Sequence, residues 1–132
     1  MIVLDTHVAV WITTGTPFGR RTISLIKKAL DEDDVGISAI SFWEIAMLVA
    51  KHRLRRLRSA TEQRAKILSA GARELPLDGE ICLLGGELEG LHADPADRLI
   101  VATAIVHEAT LVTADERLLR WRHPLRRQNA ET

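Results

Sequence analysis

A chain of 132 residues is the size of one ordinary domain, and 46% hydrophobic with 27% charged residues is the composition of a water-soluble globular fold. Eighteen basic residues balance eighteen acidic ones, so no global field draws the chain toward nucleic acid or a membrane surface, and any such contact must come from a local patch. The single cysteine, Cys82, excludes an internal disulfide; no apolar run approaches the ~20 residues of a membrane helix, and Met1–Asp5 lacks the pattern of a signal peptide, so a reduced, cytoplasmic setting is expected.

Ile2-Val3-Leu4 is a short apolar run that stops at Asp5 and reads as a buried strand. Residues 20–30 place Ile23, Ile26 and Leu30 at helical spacing, and the acidic cluster Asp31–Asp34 ends that helix. Residues 35–38, "VGIS", read as a second strand. The next helix is expected to start at Ser41, with Glu44 three residues on as its capping-box partner. Residues 61–72 read as a helix and "ELPL", 74–77, as a strand. Asp78 then caps a helix through Leu88, weakened by Gly85 and Gly86, with Cys82 in its core. Asp94-Pro95 opens a buried helix to Glu108, with Pro at the first helical position. "TLVT", 110–113, is a strand that stops just before Asp115. After Trp121 the sequence is polar and Arg-rich and gives no clear strand, so 122–132 is read as an edge strand or a polar tail. No repeat or linker divides the chain, so residues 1–132 are expected to form one domain.

Strands alternating with helices predict a three-layer α/β/α sandwich around a small parallel sheet. In such a sheet the carboxyl ends of the strands share one edge, and functional sites lie there. Asp5, Glu44 and Asp115 are expected at that edge, and Asp97 with them, because its helix starts there. Each acid also has a plain structural explanation: Glu44 as capping-box partner, Asp94 as helix cap, Asp97 as a first-turn acid, Asp115 as cap of "ERLL", Asp5 as a strand stop. Gathered together, however, carboxylates repel one another and favour a cation. Hard divalent ions take oxygen ligands, and an open carboxylate site suits phosphoryl chemistry. The five histidines show no paired ligand spacing, so zinc is not expected. No phosphate-binding Gly-rich loop and no "GxSxG" turn is present.

Four segments, "VLDTHVAVW", "SFWEIAML", "HADPADRLIVATA" and "TLVTADERLL", resemble the PIN-domain ribonucleases, and among them the VapC toxins of bacterial toxin–antitoxin pairs. The resemblance runs from Ile2 to about Trp121. It implies catalytic and metal-holding acids at Asp5, Glu44, Asp97 and Asp115, with Asp94, Thr6 and Thr113 in support. It also implies Mg²⁺ or Mn²⁺, an RNA substrate such as tRNA or rRNA, a homodimer, and a VapB-like antitoxin that blocks the pocket. The expected reaction is endoribonucleolytic attack by metal-activated water, leaving 5′-phosphate and 3′-hydroxyl ends. The Arg-rich C-terminus departs from the apolar edge strand common in the family. Seven basic residues against one acid between Lys51 and Lys66, chiefly Lys51, Arg53, Arg55, Arg56 and Arg58, are candidates for RNA phosphate contacts or a solvated helix end. Arg117, Arg120, Arg122, Arg126 and Arg127 form a second basic stretch, a candidate for RNA phosphate contacts or equally for an antitoxin contact, and Arg98 is read as paired with a carboxylate or facing a partner. Core or dimer packing is expected of the tryptophans, and Trp43 with Met47, Leu48 and Val49 suggests an apolar interface. Two other readings are a non-catalytic RNA- or protein-binding module on the same fold and a phosphatase using Asp5 as nucleophile.

Overall fold

The computed structural model describes residues 1–52 and 59–132. Five strands form one parallel sheet: β1 (Ile2–Leu4), β2 (Val35–Ser38), β3 (Arg73–Leu75), β4 (Thr110–Thr113) and β5 (Arg127–Asn129), in the order β3-β2-β1-β4-β5. Seven helices connect them among the described residues: α1 (Thr6–Thr14), α2 (Arg20–Asp31), α3 (Ala39–Ala50), α4 (Ala60–Ser69), α5 (Gly79–Glu87), α6 (Pro95–Val106) and α7 (Glu116–Arg120).

Alternation along the strands sorts the layers. Ile2 and Leu4 of β1 point into one apolar cluster with Val8 and Ala9 of α1, Ile26 of α2, Ile45 of α3 and Ile67 of α4. Val3, between them, points to the other face, into a cluster with Ile100, Val101 and Ala104 of α6 and Leu118 of α7. The central strand β1 is therefore buried on both sides, as a near-continuous apolar run requires.

Several boundaries differ from the sequence reading, each for a local reason. The segment after β1 is a helix that the apolar periodicity did not reveal. Its β-branched residues and weak amphipathicity hide it, but Val8, Ala9 and Val10 are buried and tertiary packing outweighs propensity. Gly15, at φ 74°, ends it in the left-handed conformation. The helix expected at Ser41 begins earlier, at Ala39. Ser38 is its cap, with Oγ accepting from the Ile40 amide at 3.3 Å. The capping box is therefore not formed, and Glu44 lies in the second turn. Ser59 caps α4, which ends at Ser69 rather than 72. Strand β3 stops before Pro76, which has no amide hydrogen to give the ladder.

The α5–α6 pair explains an apparent defect. Gly85 is buried, and a Cβ there would lie 3.2 Å from Leu99 Cδ2 and 3.4 Å from the Arg98 carbonyl oxygen, so glycine allows the two helices to close. Cys82, expected in the core, is exposed, because the buried face of α5 is Ile81 and Gly85. The polar C-terminus does form an edge strand: β5 pairs with β4 in parallel, Val112 opposite Gln128.

Candidate active site

Strand order reverses on either side of β1: the chain moves to β2 on one side and returns to β4 on the other. The gap beyond the carboxyl ends of β1 and β4 is thus the natural crevice of this sheet. Asp5 follows β1 and caps α1, and Asp115 follows β4 and caps α7. Helix α6 runs back against the strands from the same edge, which brings Asp94 and Asp97 there, while α3 brings Glu44. An open cleft of about 320 Å³ is lined by all five of these acids together with His7, Trp11 and Arg117.

The hydrogen bonds give each acid a distinct environment. Asp5 is buried; its Oδ1 accepts from the Thr6 amide at 2.8 Å and its Oδ2 from the Thr113 hydroxyl at 2.7 Å. The same Thr113 Oγ1 accepts from the Asp115 amide at 3.0 Å, so one hydroxyl ties the ends of β1 and β4 together. The Thr6 hydroxyl lies beside Glu44 and donates to Ser41 Oγ at 2.9 Å. Asp94 is the cap of α6, Oδ1 accepting from the Ala96 and Asp97 amides at 3.0 and 3.4 Å. The helix-cap reading of Asp94 holds, and by starting α6 there it carries Asp97 to the cleft.

Burial and mutual repulsion set the electrostatics. Asp5 is pushed up from the usual carboxylate range by burial, which outweighs its bonds from Thr113 and Thr6. Glu44 and Asp97 are also raised, first by burial and then by neighbouring carboxylates. Asp115 is the exception: burial raises it, but the Arg117 guanidinium and amide outweigh that and hold it low. Glu44 Oε1 is buried with no hydrogen-bond partner among the described residues. A buried, unpaired carboxylate oxygen among raised acids is what a missing cation would leave.

Two sets of ligand atoms within 4.8 Å of one another could hold an ion: Glu44, Asp94 and Asp97, and His92, Asp97 and Asp115. Asp97 belongs to both. Asp5, buried and bonded to Thr113, lines the cleft but belongs to neither set.

Two residues at the cleft, His92 and His7, were given no role by the sequence reading, and a third, Arg117, was read only as part of the second basic stretch. His92 sits 2.6 Å from Asp97 Oδ2 through Nε2, although no histidine showed ligand spacing. It opens the "HADPADR" segment, which was read for its aspartates alone. His7 and Arg117 also line the cleft. Arg98 pairs with no carboxylate among the described residues: its guanidinium donates to the carbonyls of Gly85, Gly86, Leu88, Leu91 and His92, closing the end of α5 and the loop that carries His92. The second basic stretch is not one surface. Arg127 donates to the carbonyls of Leu118, Trp121, His123 and Leu125, Arg126 to that of Glu108, and Arg120 pairs with Glu116. Lys51 is exposed, while Arg53, Arg55, Arg56 and Arg58 lie outside the described residues. Trp121 is buried and donates to the Glu89 carbonyl, Trp11 packs on Phe18, and Trp43 is 54% exposed beside exposed Met47.

Fold and cleft together define a class: a parallel α/β domain whose sheet edge carries a carboxylate cluster fit for a hard divalent cation. The chain belongs to the PIN-domain family, which matches it over residues 2–123. It is 33% identical over 125 residues to Ribonuclease VapC22 of Mycobacterium tuberculosis, covering 93% of each chain. Among solved structures it resembles a chain of VapBC-1 from nontypeable Haemophilus influenzae, with TM-score 0.71, 18% identity and full coverage of both chains. It also resembles a chain of VapBC2 from Rickettsia felis bound to a promoter DNA fragment, with TM-score 0.69, 23% identity and 98% of each chain covered.

Proposed function

We propose that this protein is a VapC-type ribonuclease toxin that cuts RNA by attack of water on a phosphodiester, requires Mg²⁺ or Mn²⁺, and is held inactive by a VapB-like antitoxin. The similarity to Ribonuclease VapC22 supports the activity, and the VapBC assemblies among its structural neighbours support the partner. The observation that carries the reading is that Asp97 belongs to two potential ligand sets, Glu44 with Asp94 and His92 with Asp115, near a buried Glu44 oxygen that has no hydrogen-bond partner among the described residues.

Asp5, Glu44, Asp97 and Asp115 would form the acidic pocket that holds the ion, with Asp94 beside Glu44 and Asp97. When bound, a divalent cation acidifies an attacking water and neutralises charge on the phosphate. The chain's own residues prepare for that. Thr113 fixes Asp5 and the Asp115 backbone in one register. The Thr6 amide holds the other Asp5 oxygen. The rigid, buried helix α6 presents Asp97 without the entropy cost of ordering a loop. The basic sequence run of Lys51 and the arginines at 53, 55, 56 and 58 has the charge to contact RNA phosphates, the four arginines lying outside the described residues. The chain acts as a single domain over residues 1–132, as a homodimer, in the cytoplasm.

The test is incubation of the purified chain with total tRNA and rRNA in Mn²⁺, against EDTA and the Asp97→Asn variant. Cleavage confined to wild type with metal, with 5′-phosphate ends, is expected. A 2′,3′-cyclic phosphate end would rule out attack by water.

A further inference from the structure

The two carboxylate sets that share Asp97 are not equivalent. Glu44, Asp94 and Asp97 have no lysine or arginine paired with Glu44 or Asp94 among the described residues, and Glu44 Oε1 is unpartnered. The set of His92, Asp97 and Asp115, in which His92 Nε2 lies 2.6 Å from Asp97 Oδ2, already carries a cation. Arg117 lays its guanidinium across it, with Nη2 3.0 Å from Asp115 Oδ2 and 3.5 Å from Asp97 Oδ2, and Nε 3.3 Å from Asp115 Oδ1. The Arg117 amide also donates to Asp115 Oδ1 at 2.8 Å, so one carboxylate fixes both the backbone and the side chain of this residue.

We propose that Arg117 occupies the place of a second divalent cation, so that the protein binds one ion, on the Glu44 side of Asp97 and against Asp94, while Asp115 serves the pocket through Arg117 rather than as a direct ligand, and the guanidinium faces the RNA phosphate on that side. This rests on the reading of the cleft as a metal site. The chemistry of the side chain suits the role. A guanidinium is permanently charged, and its planar fork matches carboxylate and phosphate oxygens alike. Nη1 makes no hydrogen bond among the described residues, and the side chain is 60% exposed, so a phosphate oxygen can reach it while Nε and Nη2 stay on Asp115. A second ion on Asp97 and Asp115 would have to expel this fork from all the oxygens it contacts. Arg117 thus holds Asp115 through Nε and Nη2 and offers Nη1 to a phosphate oxygen on the same, metal-free side.

The experiment counts ions directly. Mn²⁺ stoichiometry is measured by calorimetry and by electron paramagnetic resonance on wild type, Arg117→Gln and Arg120→Gln, the last a neighbouring exposed arginine that pairs with Glu116. One ion is expected in wild type and in Arg120→Gln, and two in Arg117→Gln, with a spin-coupled Mn²⁺ pair appearing only there. Two ions in wild type, or one in Arg117→Gln, would overturn the assignment while leaving the metal site standing. No ion in any of the three would overturn the metal reading and the assignment together. One ion rising to two, in a protein that cuts no RNA, would uphold the cation role of Arg117 and remove the ribonuclease reading instead.

Discussion

Asp97→Asn is expected to make the metal-free protein more stable and to abolish its response to Mn²⁺. Asp97 is buried, and its oxygens lie within 4.8 Å of those of Glu44, Asp94 and Asp115. One like-charge pair at that distance costs about 3 kcal/mol at an effective dielectric constant near 20. His92 and Arg117 offset part of this, and exposed Asp94 is screened, so a net gain of about 1–2 kcal/mol is expected from neutralising Asp97. For a chain of this size that is a rise in Tm of roughly 3–8 °C. The sign with pH follows from the raised pKa of Asp97. A group held above its unfolded value contributes stability below the unfolded pKa, about 3.9 for Asp, and loses it as pH rises through the folded value. The two proteins should therefore melt together near pH 4 and separate as pH rises toward neutrality. Mn²⁺ at a hundred times its Kd should stabilise wild type by about 2.7 kcal/mol and the variant by much less. Scanning calorimetry in EDTA and in Mn²⁺, at several pH values, reads all of this. A variant that is less stable than wild type in EDTA at neutral pH would refute the reasoning, because the carboxylates would then be held by something other than a cation yet to bind.

Other outcomes are as definite. Thr113→Val removes the donor to Asp5 Oδ2 and the acceptor of the Asp115 amide; a loss of about 1–3 kcal/mol in urea denaturation and weaker Mn²⁺ binding are expected. Arg98→Met leaves five carbonyls of the α5 end and the His92 loop without their donor. Its partly exposed site discounts the full value of those bonds, so about 2–4 kcal/mol is expected, with the amides of residues 86–92 exchanging faster with deuterium. Cys82 is exposed, so it should react completely with a thiol reagent in the native protein, at the rate seen in urea to within a few-fold.

Much of the architecture was legible because it depends on local pattern. The three-residue apolar run of β1, the "TLVT" strand and the Asp94-Pro95 helix start each carry their own signal, and each lies where that signal put it. From those three follows the edge at which Asp5, Asp97 and Asp115 meet. The start of α3 was misplaced because Ser38 and Ser41 are both good caps, and only packing decides between them. Ser41 is buried against the Thr6 hydroxyl, which leaves Ser38 at the helix end. Helix α1 and strand β5 were not legible for the opposite reason. Their residues have little preference for the states they adopt, and burial against the sheet or pairing with β4 imposes them.

The sequence by itself determined the alternation of strands and helices, the carboxylates that end the strands, and the family, because all of these are written in residue type and spacing. Only the tertiary structure decided which groups share those carboxylates. His92, Arg117 and the Thr113 hydroxyl reach the acids through bonds of a few ångströms between elements distant in the chain or across turns. Arg98, one residue beyond Asp97, is turned instead to backbone carbonyls. No spacing rule specifies those directions, because they are set by how α5, α6 and α7 pack on the sheet.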